Sequence, residues 1–217
     1  MISFRSWIQA LLTAATLVAW SGSASAHQRE FGISIQPAFA GFPAVADPNS
    51  QPGLALTAGG GIGLEFYPLK YMAIVSRLAY THALTTTTIG QATFNNEAGF
   101  PRTGDYYFKQ STAFASLGLR LETPSWWLPV QFHIGVGGGF ALSIQTERKL
   151  LADGQDLRIP LNDIVKVAPI IPVTTGLFVR VASQVRFDLD GTLFVFPQNP
   201  VLVGFGITLA LTFLFYT

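Results

Sequence analysis

The stretch "VGFGITLALTFLF", Val203 to Phe215, alternates between large apolar side chains and small or polar ones. Its apolar positions are Val203, Phe205, Ile207, Leu209, Leu211, Phe213 and Phe215. Gly204, Gly206, Thr208, Ala210 and Thr212 stand between them. Successive side chains of a β-strand point to opposite faces. The stretch therefore predicts a strand with one strongly apolar face and one face of small and polar groups.

The same alternation occurs in eight segments along the chain. They cover about residues 31–39, 54–67, 72–81, 107–122, 130–145, 165–181, 185–196 and 203–215. Short connections at 68–70, 123–128 and 182–184 alternate with longer ones at 40–53, 82–106 and 146–162, and with a brief one at 197–200. This pattern predicts an up-and-down arrangement of antiparallel strands, with the short turns at one end and the long loops at the other.

Two glycine-rich stretches raise the alternative of a nucleotide site. They are "LTAGGGIGLEF", from Leu56, and "HIGVGGGFALS", from His133. Neither completes the Gly-x-Gly-x-x-Gly fingerprint, because Phe66 and Phe140 occupy the third glycine position, and no Gly-Lys-Ser/Thr follows. The glycines instead fall on the small, polar phase of predicted strands. We interpret them as residues that make room inside a narrow barrel.

The N-terminal region has the features of a secretory signal peptide. Arg5 precedes an apolar run from Trp7 to Trp20, and Ala24-Ser25-Ala26 forms a small-x-small cleavage site. We therefore predict a signal peptide at 1–26 and one mature domain at 27–217. The apolar run is shorter than the roughly 18 to 20 residues of a spanning helix.

The composition of the remaining chain is that of a membrane protein. The chain is 49% hydrophobic with a mean hydropathy of +0.40, and only 12% of its residues are charged. It has no cysteine, which excludes disulfides and thiolate metal sites. Without Arg5 the 12 basic residues equal the 12 acidic ones, which argues against a nucleic-acid partner. Only helices and closed barrels satisfy every backbone group in lipid, and the eight segments favour the barrel.

The chain resembles the small eight-stranded outer-membrane barrels of bacteria, of the OmpA, OmpX and OmpW type. The resemblance covers nearly all of the mature chain, and its residue-level support is "GFGITLALTFLFYT", Gly204 to Thr217. This stretch is similar to the aromatic-ended last strand that the barrel-assembly machinery reads, with Phe215 as the terminal aromatic followed by two extra residues. The resemblance implies an all-β, eight-stranded antiparallel transmembrane barrel in the bacterial outer membrane, in contact with lipid and lipopolysaccharide.

Ionisable side chains on the inward phase are the obvious candidate site. They are Glu65, Arg77, Arg120, His133, Arg180, Arg186, Asp188 and Asp190. Following the alternating strand directions, most of them lie toward the periplasmic half. Four arginines facing three acids favour a structural network that fills the lumen. Gating of protons or a solute is the alternative.

An enzymatic site is less well supported. Some outer-membrane barrels deacylate lipid A with a histidine and a serine close together on one strand. Here Gly135 stands two residues after His133, and Ser143 lies about ten residues away, or roughly 33 Å at strand rise. His27 and His82 show no metal-ligand spacing. We therefore predict no catalytic residue, no metal site and no cofactor.

Aromatic residues bracket the predicted strands. They are Phe66, Tyr67, Tyr71, Trp126 and Trp127 near the short turns, and Tyr80, Tyr106, Tyr107, Phe108 and Phe196 near the long loops. We predict two girdles at the lipid headgroups. The leading functional hypothesis is a non-enzymatic barrel whose exposed loops serve envelope integrity or surface interaction. The alternative is a conduit or binding site for a small apolar solute, in an outer lumen lined by Ala141, Ile170, Phe194, Phe196 and Leu202.

Overall fold

The computed structural model describes residues 30–44, 53–96, 98–123, 130–152, 154–157, 159, 161–198 and 200–216. These residues form ten strands: β1 (Glu30–Ala44), β2 (Gly53–Leu69), β3 (Met72–Ala83), β4 (Thr87–Asn95), β5 (Pro101–Glu122), β6 (Val130–Ala152), β7 (Gln155–Asp156), β8 (Ile164–Ala182), β9 (Val185–Phe196) and β10 (Leu202–Tyr216). The predicted signal peptide at 1–26 lies outside the described residues. Among the described residues there is no helix of the length and apolarity that would cross a membrane.

Eight of the strands close into a ring. Its order is β1-β2-β3-β5-β6-β8-β9-β10, and β10 pairs back with β1 from Phe31↔Phe215 to Gly41↔Phe205. Every pairing is antiparallel. Each of the eight predicted segments lies within one strand of this ring. The prediction of an eight-stranded antiparallel meander barrel is confirmed.

The period of two sorts side chains between the two faces of the wall. Ile35, Leu117 and Leu209 are 59%, 60% and 58% exposed on the outside. Their neighbours Ser34 and Ala210 point inward and are buried. An apolar outer belt around a mixed interior is the arrangement that a bilayer requires.

Glycines on the inward phase let the wall curve tightly. A Cβ at Gly59 would lie 2.1 Å from the carbonyl oxygen of Tyr80, and one at Gly139 would lie 2.1 Å from that of Ala115. These distances are far below van der Waals contact, so no larger residue fits without moving the neighbouring strand. The glycine stretches therefore belong to the barrel wall and not to a nucleotide loop.

Two regions predicted as loops contain strands. Residues 82–106 hold β4, which pairs with the outer half of β5, and residues 146–162 hold the end of β6 and the short β7. β5 and β6 thus run 22 and 23 residues, about twice the 9 to 11 that cross a membrane. We call β4, β7 and the outer ends of β5 and β6 the outer sheet.

The predicted aromatic girdles are partly wrong. Phe66, Tyr71 and Tyr80 are exposed on the outside as expected. Four of the named aromatics instead point inward and are buried, namely Tyr67, Tyr106, Phe108 and Phe196. The reason is the strand period: Tyr67 follows the inward Glu65 by two residues, and Phe196 follows the inward Phe194 by two. Trp126 and Trp127 lie outside the described residues.

Candidate functional site

A dense group of charged side chains occupies one end of the lumen, next to the short turns. We call it the charge cluster: Glu65 and Tyr67 on β2, Arg120 and Glu122 on β5, and Arg186 and Asp188 on β9. Arg120 donates two parallel hydrogen bonds to Glu65, of 2.8 and 2.7 Å, and one of 3.0 Å to Glu122. Such a fork is the strongest geometry for a guanidinium and a carboxylate.

Arg186 joins the two sides of the charge cluster. Its side chain is fully buried, donates to Glu65 at 2.6 Å, and lies 2.9 Å from Asp188. Both Arg120 and Arg186 also donate to the Tyr67 hydroxyl, which in turn donates to Glu122 at 2.8 Å. The cluster therefore ties together three non-adjacent strands through a single phenol and two guanidiniums.

A second group lies beside the charge cluster. His133 Nε2 is 2.8 Å from Asp190 Oδ1, and Arg77 binds the other oxygen of Asp190. His133, Asp188 and Asp190 each offer a ligand atom, and these atoms all lie within 4.8 Å of one another. One imidazole and two carboxylates are a donor set that could hold a metal ion.

Seven of the eight predicted lumen residues are thus brought together in these two groups. Arg180 has a different setting, because it forms a bidentate ion pair with Glu30 at an exposed position near the end of the barrel. Sequence reasoning missed Tyr67 and Glu122. The strand period could have identified both. Tyr67 lies two residues after Glu65 and Glu122 lies two residues after Arg120, so each points to the same inward face as that predicted residue.

The outer half of the lumen is filled by aromatic rings. We call Phe42, Phe114, Phe194 and Phe196 the aromatic plug. The Phe194 ring lies 5.2 Å from that of Phe42 and 5.1 Å from that of Phe114. The side chains predicted to line an apolar lumen all belong to the buried apolar cluster that includes this plug: Ala141, Ile170, Phe194, Phe196 and Leu202.

A small cavity lies between the plug and the charged groups. Its volume is about 40 Å³, and its lining includes Arg77, Arg120, Phe114 and Phe194. A space of this size is large enough to admit water. We call it the central cavity. From the short turns toward the outer sheet, the lumen thus contains charged groups, a small cavity and aromatic rings.

The outer sheet has a separate apolar core. Ile89 and Ala92 of β4 pack with Tyr106, Phe108 and Leu150, which are all buried. Arg148 closes this core: its guanidinium lies 5.6 Å from the Phe94 ring centre and 5.4 Å from that of Tyr106, and it donates to the Tyr106 hydroxyl. Burial raises the pKa of Tyr106, although Arg148 acts in the opposite direction. The strands beyond the lipid belt are therefore a packed structure.

The residues considered for catalysis do not meet. His133 binds Asp190, whereas Ser143 lies 3.4 Å from the Thr112 hydroxyl. A different serine and histidine do meet, because Ser111 Oγ is 2.9 Å from His82 Nδ1 on the outer face of adjacent strands. Acyl transfer also needs a group that orients the histidine and donors for an oxyanion. The hydrogen bonds described for this pair supply neither.

The fold is shared with solved outer-membrane barrels. Neisserial surface protein A matches with a TM-score of 0.50 at 13% identity, over 85% of this chain and 96% of that chain. The chain has the fold of the small eight-stranded outer-membrane barrels. The attachment invasion locus protein Ail of Yersinia pestis gives 0.49 at 12% identity, over 87% and 100%. The N-terminal barrel domain of Pseudomonas aeruginosa OprF gives 0.48 at 9%, over 85% and 97%.

No family model and no curated protein sequence matches the chain. At identities this low, the likeness to the solved barrels establishes the fold and carries no residue-level function.

Proposed function

We propose that this protein is a non-enzymatic component of the bacterial outer membrane that uses its outer sheet for surface interaction or envelope integrity. The observation that carries the proposal is the length of β5 and β6, whose surplus beyond the lipid belt folds around its own apolar core. A chain that needed only to span the membrane would not require this structure. The name of one similar structure, a neisserial surface protein, is in keeping with this role.

The location follows from the outer face of the barrel and the N-terminal sequence. Large apolar side chains surround the wall, which suits lipid and the acyl chains of lipopolysaccharide. Residues 1–26 would direct export and leave a mature chain from 27 to 217. The apolar last strand β10, with Phe215 exposed near its end, would be read by the barrel-assembly machinery.

We infer that the outer sheet lies outside the cell. Bacterial barrels have short periplasmic turns and longer extracellular connections. The turn at Lys70 and Tyr71 joins β2 to β3 directly, whereas two of the connections at the other end contain the strands β4 and β7. The charge cluster then faces the periplasm, and the aromatic plug lies toward the cell surface.

The filled lumen weighs against the alternative of a conduit for an apolar solute. A passing solute would have to separate the Phe42, Phe114 and Phe194 rings, which are in contact. It would then meet buried guanidinium and carboxylate groups that an apolar molecule cannot compensate. The proposal therefore assigns the lumen to stability and the outer sheet to function.

Two experiments test this assignment. Purified protein in planar bilayers should show no steady conductance. In the source bacterium, deletion of the gene should alter either detergent sensitivity, for envelope integrity, or attachment to surfaces and cells, for surface interaction. Replacing the exposed Thr88, Thr93, Thr103 and Lys149 by alanine should reproduce the attachment defect, because these side chains lie on the solvent side of the outer sheet.

The matched control is alanine at Lys70 in the periplasmic turn, which should behave like the native protein. Steady conductance, or a deletion strain that is unchanged in both assays, would contradict the proposal.

A further inference from the structure

His133, Asp188 and Asp190 form a compact group inside the lumen, and we propose that they bind a divalent transition-metal cation of the Zn²⁺ class. All three are at least 96% buried, and they come from β6 and β9. Their potential ligand atoms lie within 4.8 Å of one another. Ligand atoms of a tetrahedral zinc ion are roughly 3.3 to 3.5 Å apart at bond lengths of about 2.0 to 2.2 Å, so small side-chain movements bring the three atoms into position.

Among the residues that the structure describes, two atoms of the group have no hydrogen-bond partner. They are Nδ1 of His133 and Oδ1 of Asp188. Arg186 Nε lies 2.9 Å from this oxygen, but its hydrogen bond goes to Oδ2, which also accepts from Thr212. Buried polar atoms are almost always paired. A cation would bind Asp188 Oδ1 together with Asp190 and with Nε2 of His133, in the place of the proton between Nε2 and Asp190. Nδ1, on the other side of the ring, would then carry the imidazole proton.

The charged groups of the lumen carry a net negative charge, which favours a bound cation. The charge cluster and its neighbour contain three guanidiniums, of Arg77, Arg120 and Arg186. They contain four carboxylates, of Glu65, Glu122, Asp188 and Asp190. With a neutral imidazole the balance is three minus four, or one negative charge. A buried uncompensated charge is costly, and a divalent cation that carries one hydroxide in place of a water would bring the balance to zero.

The surroundings give the ion space and water. A Cβ at Gly176 would lie 2.6 Å from His133 Nε2 and 2.7 Å from Asp190 Oδ1, so only glycine leaves this side of the group open. Arg77 holds Asp190 but also lines the central cavity, and its side chain is 12% exposed. It can turn into the cavity and release the carboxylate. Water that enters along Arg77 from the same cavity would supply the fourth ligand.

The donor set selects the class of ion. Mg²⁺ and Ca²⁺ prefer shells made only of oxygen. A site with one imidazole nitrogen, two carboxylate oxygens and water suits Zn²⁺ and its neighbours in the first transition row. Affinity should fall in acid, because the ligands must be deprotonated.

The test is Co²⁺ binding to the tag-free, folded barrel in detergent at pH 7.5, followed by visible absorption and by competition with Zn²⁺. The chain has three histidines, so one variant of each is enough to identify the histidine that binds Co²⁺. We expect one Co²⁺ per chain, displaced by Zn²⁺ and not by a tenfold excess of Mg²⁺. His133→Asn should weaken binding at least tenfold, whereas His82→Asn and His27→Asn should leave it within twofold.

Asp188→Asn is the second variant, and it should also weaken binding at least tenfold. It serves as the test if His133→Asn does not fold. Native protein that binds no Co²⁺ at 100-fold excess would overturn the proposal. So would binding that survives both His133→Asn and Asp188→Asn. A response of the native protein to pH with no response to metal would assign the group to protons and equally overturn the metal site.

Discussion

Replacing Arg186 by methionine removes the charge that joins the two sides of the charge cluster and keeps much of the side-chain volume. Arg186 is fully buried and lies within 3 Å of both Glu65 and Asp188. In the variant, Arg120 alone faces three carboxylates, those of Glu65, Glu122 and Asp188. The variant must either hold an uncompensated buried charge or bind a proton.

The free energy needed to protonate one carboxylate sets an upper limit on the loss of stability. An unfolded carboxyl group has a pKa of about 3.9, which lies about 3.1 pH units below pH 7. Protonating it at pH 7 therefore costs roughly 4 kcal/mol of free energy. Removing one member of a buried pair typically costs about 3 to 5 kcal/mol, which agrees. At pH 5 the same proton costs only about 1.5 kcal/mol. The variant should therefore lose about 3 to 4 kcal/mol at pH 7 and recover more than half of that loss at pH 5.

The assay is urea unfolding of vesicle-inserted protein at pH 7 and pH 5. Arg180→Met is the matched control, because the exposed pair of Arg180 with Glu30 should contribute about 0 to 1 kcal/mol. Adding Glu65→Gln to Arg186→Met should restore part of the stability at pH 7. A loss below 1 kcal/mol, or a loss that does not change between the two pH values, would refute the reasoning and indicate a hydrated network.

Three further predictions concern other parts of the molecule. Because burial raises the pKa of Tyr106, the folded protein keeps a proton that the unfolded chain loses near pH 10, so stability should fall as pH rises above about 10; Tyr106→Phe should remove that part of the pH dependence in alkaline urea titrations, and an unchanged profile would count against it. Phe194→Ala should cost about 3 to 5 kcal/mol in the same unfolding assay because it opens the aromatic plug, whereas a loss under 1 kcal/mol would mean that the plug is loosely packed. An epitope inserted at Gly99, in the turn between β4 and β5, should be detected on intact cells and one at Lys70 should not; the reverse labelling would invert the orientation.

The barrel could be predicted because the period of two is a local property. Each ring strand must show lipid one face and the lumen the other, so apolar and small residues alternate within every segment, as at Leu209 and Ala210. The same rule placed Glu65, Arg120 and Asp188 inside. What it did not give was their contacts, because Glu65 and Arg120 are 55 residues apart and meet only through strand register and closure of the ring.

The outer sheet was missed for a different physical reason. β4 begins in a run of threonines, and a bulge lies between Ile89 and Ala92, where Gln91 has a φ of 55°. The bulge leaves two positions instead of one between two residues that face the same core, so the alternation is lost. β4 is therefore recognised only by its pairing with β5, which the sequence of β4 does not reveal.

The most direct test of the membrane-spanning barrel uses adjacent native residues on β10. Leu209 is 58% exposed on the outer wall, whereas Ala210 is 5% exposed on the inner side. The measurement is paramagnetic broadening of their methyl NMR signals by spin-labelled lipid, with the protein in lipid nanodiscs. Lipid-attached spin labels should broaden the Leu209 methyl signals strongly and leave the Ala210 signal nearly unchanged. Equal broadening at both positions, or no broadening at Leu209, would contradict a barrel whose outer wall faces lipid.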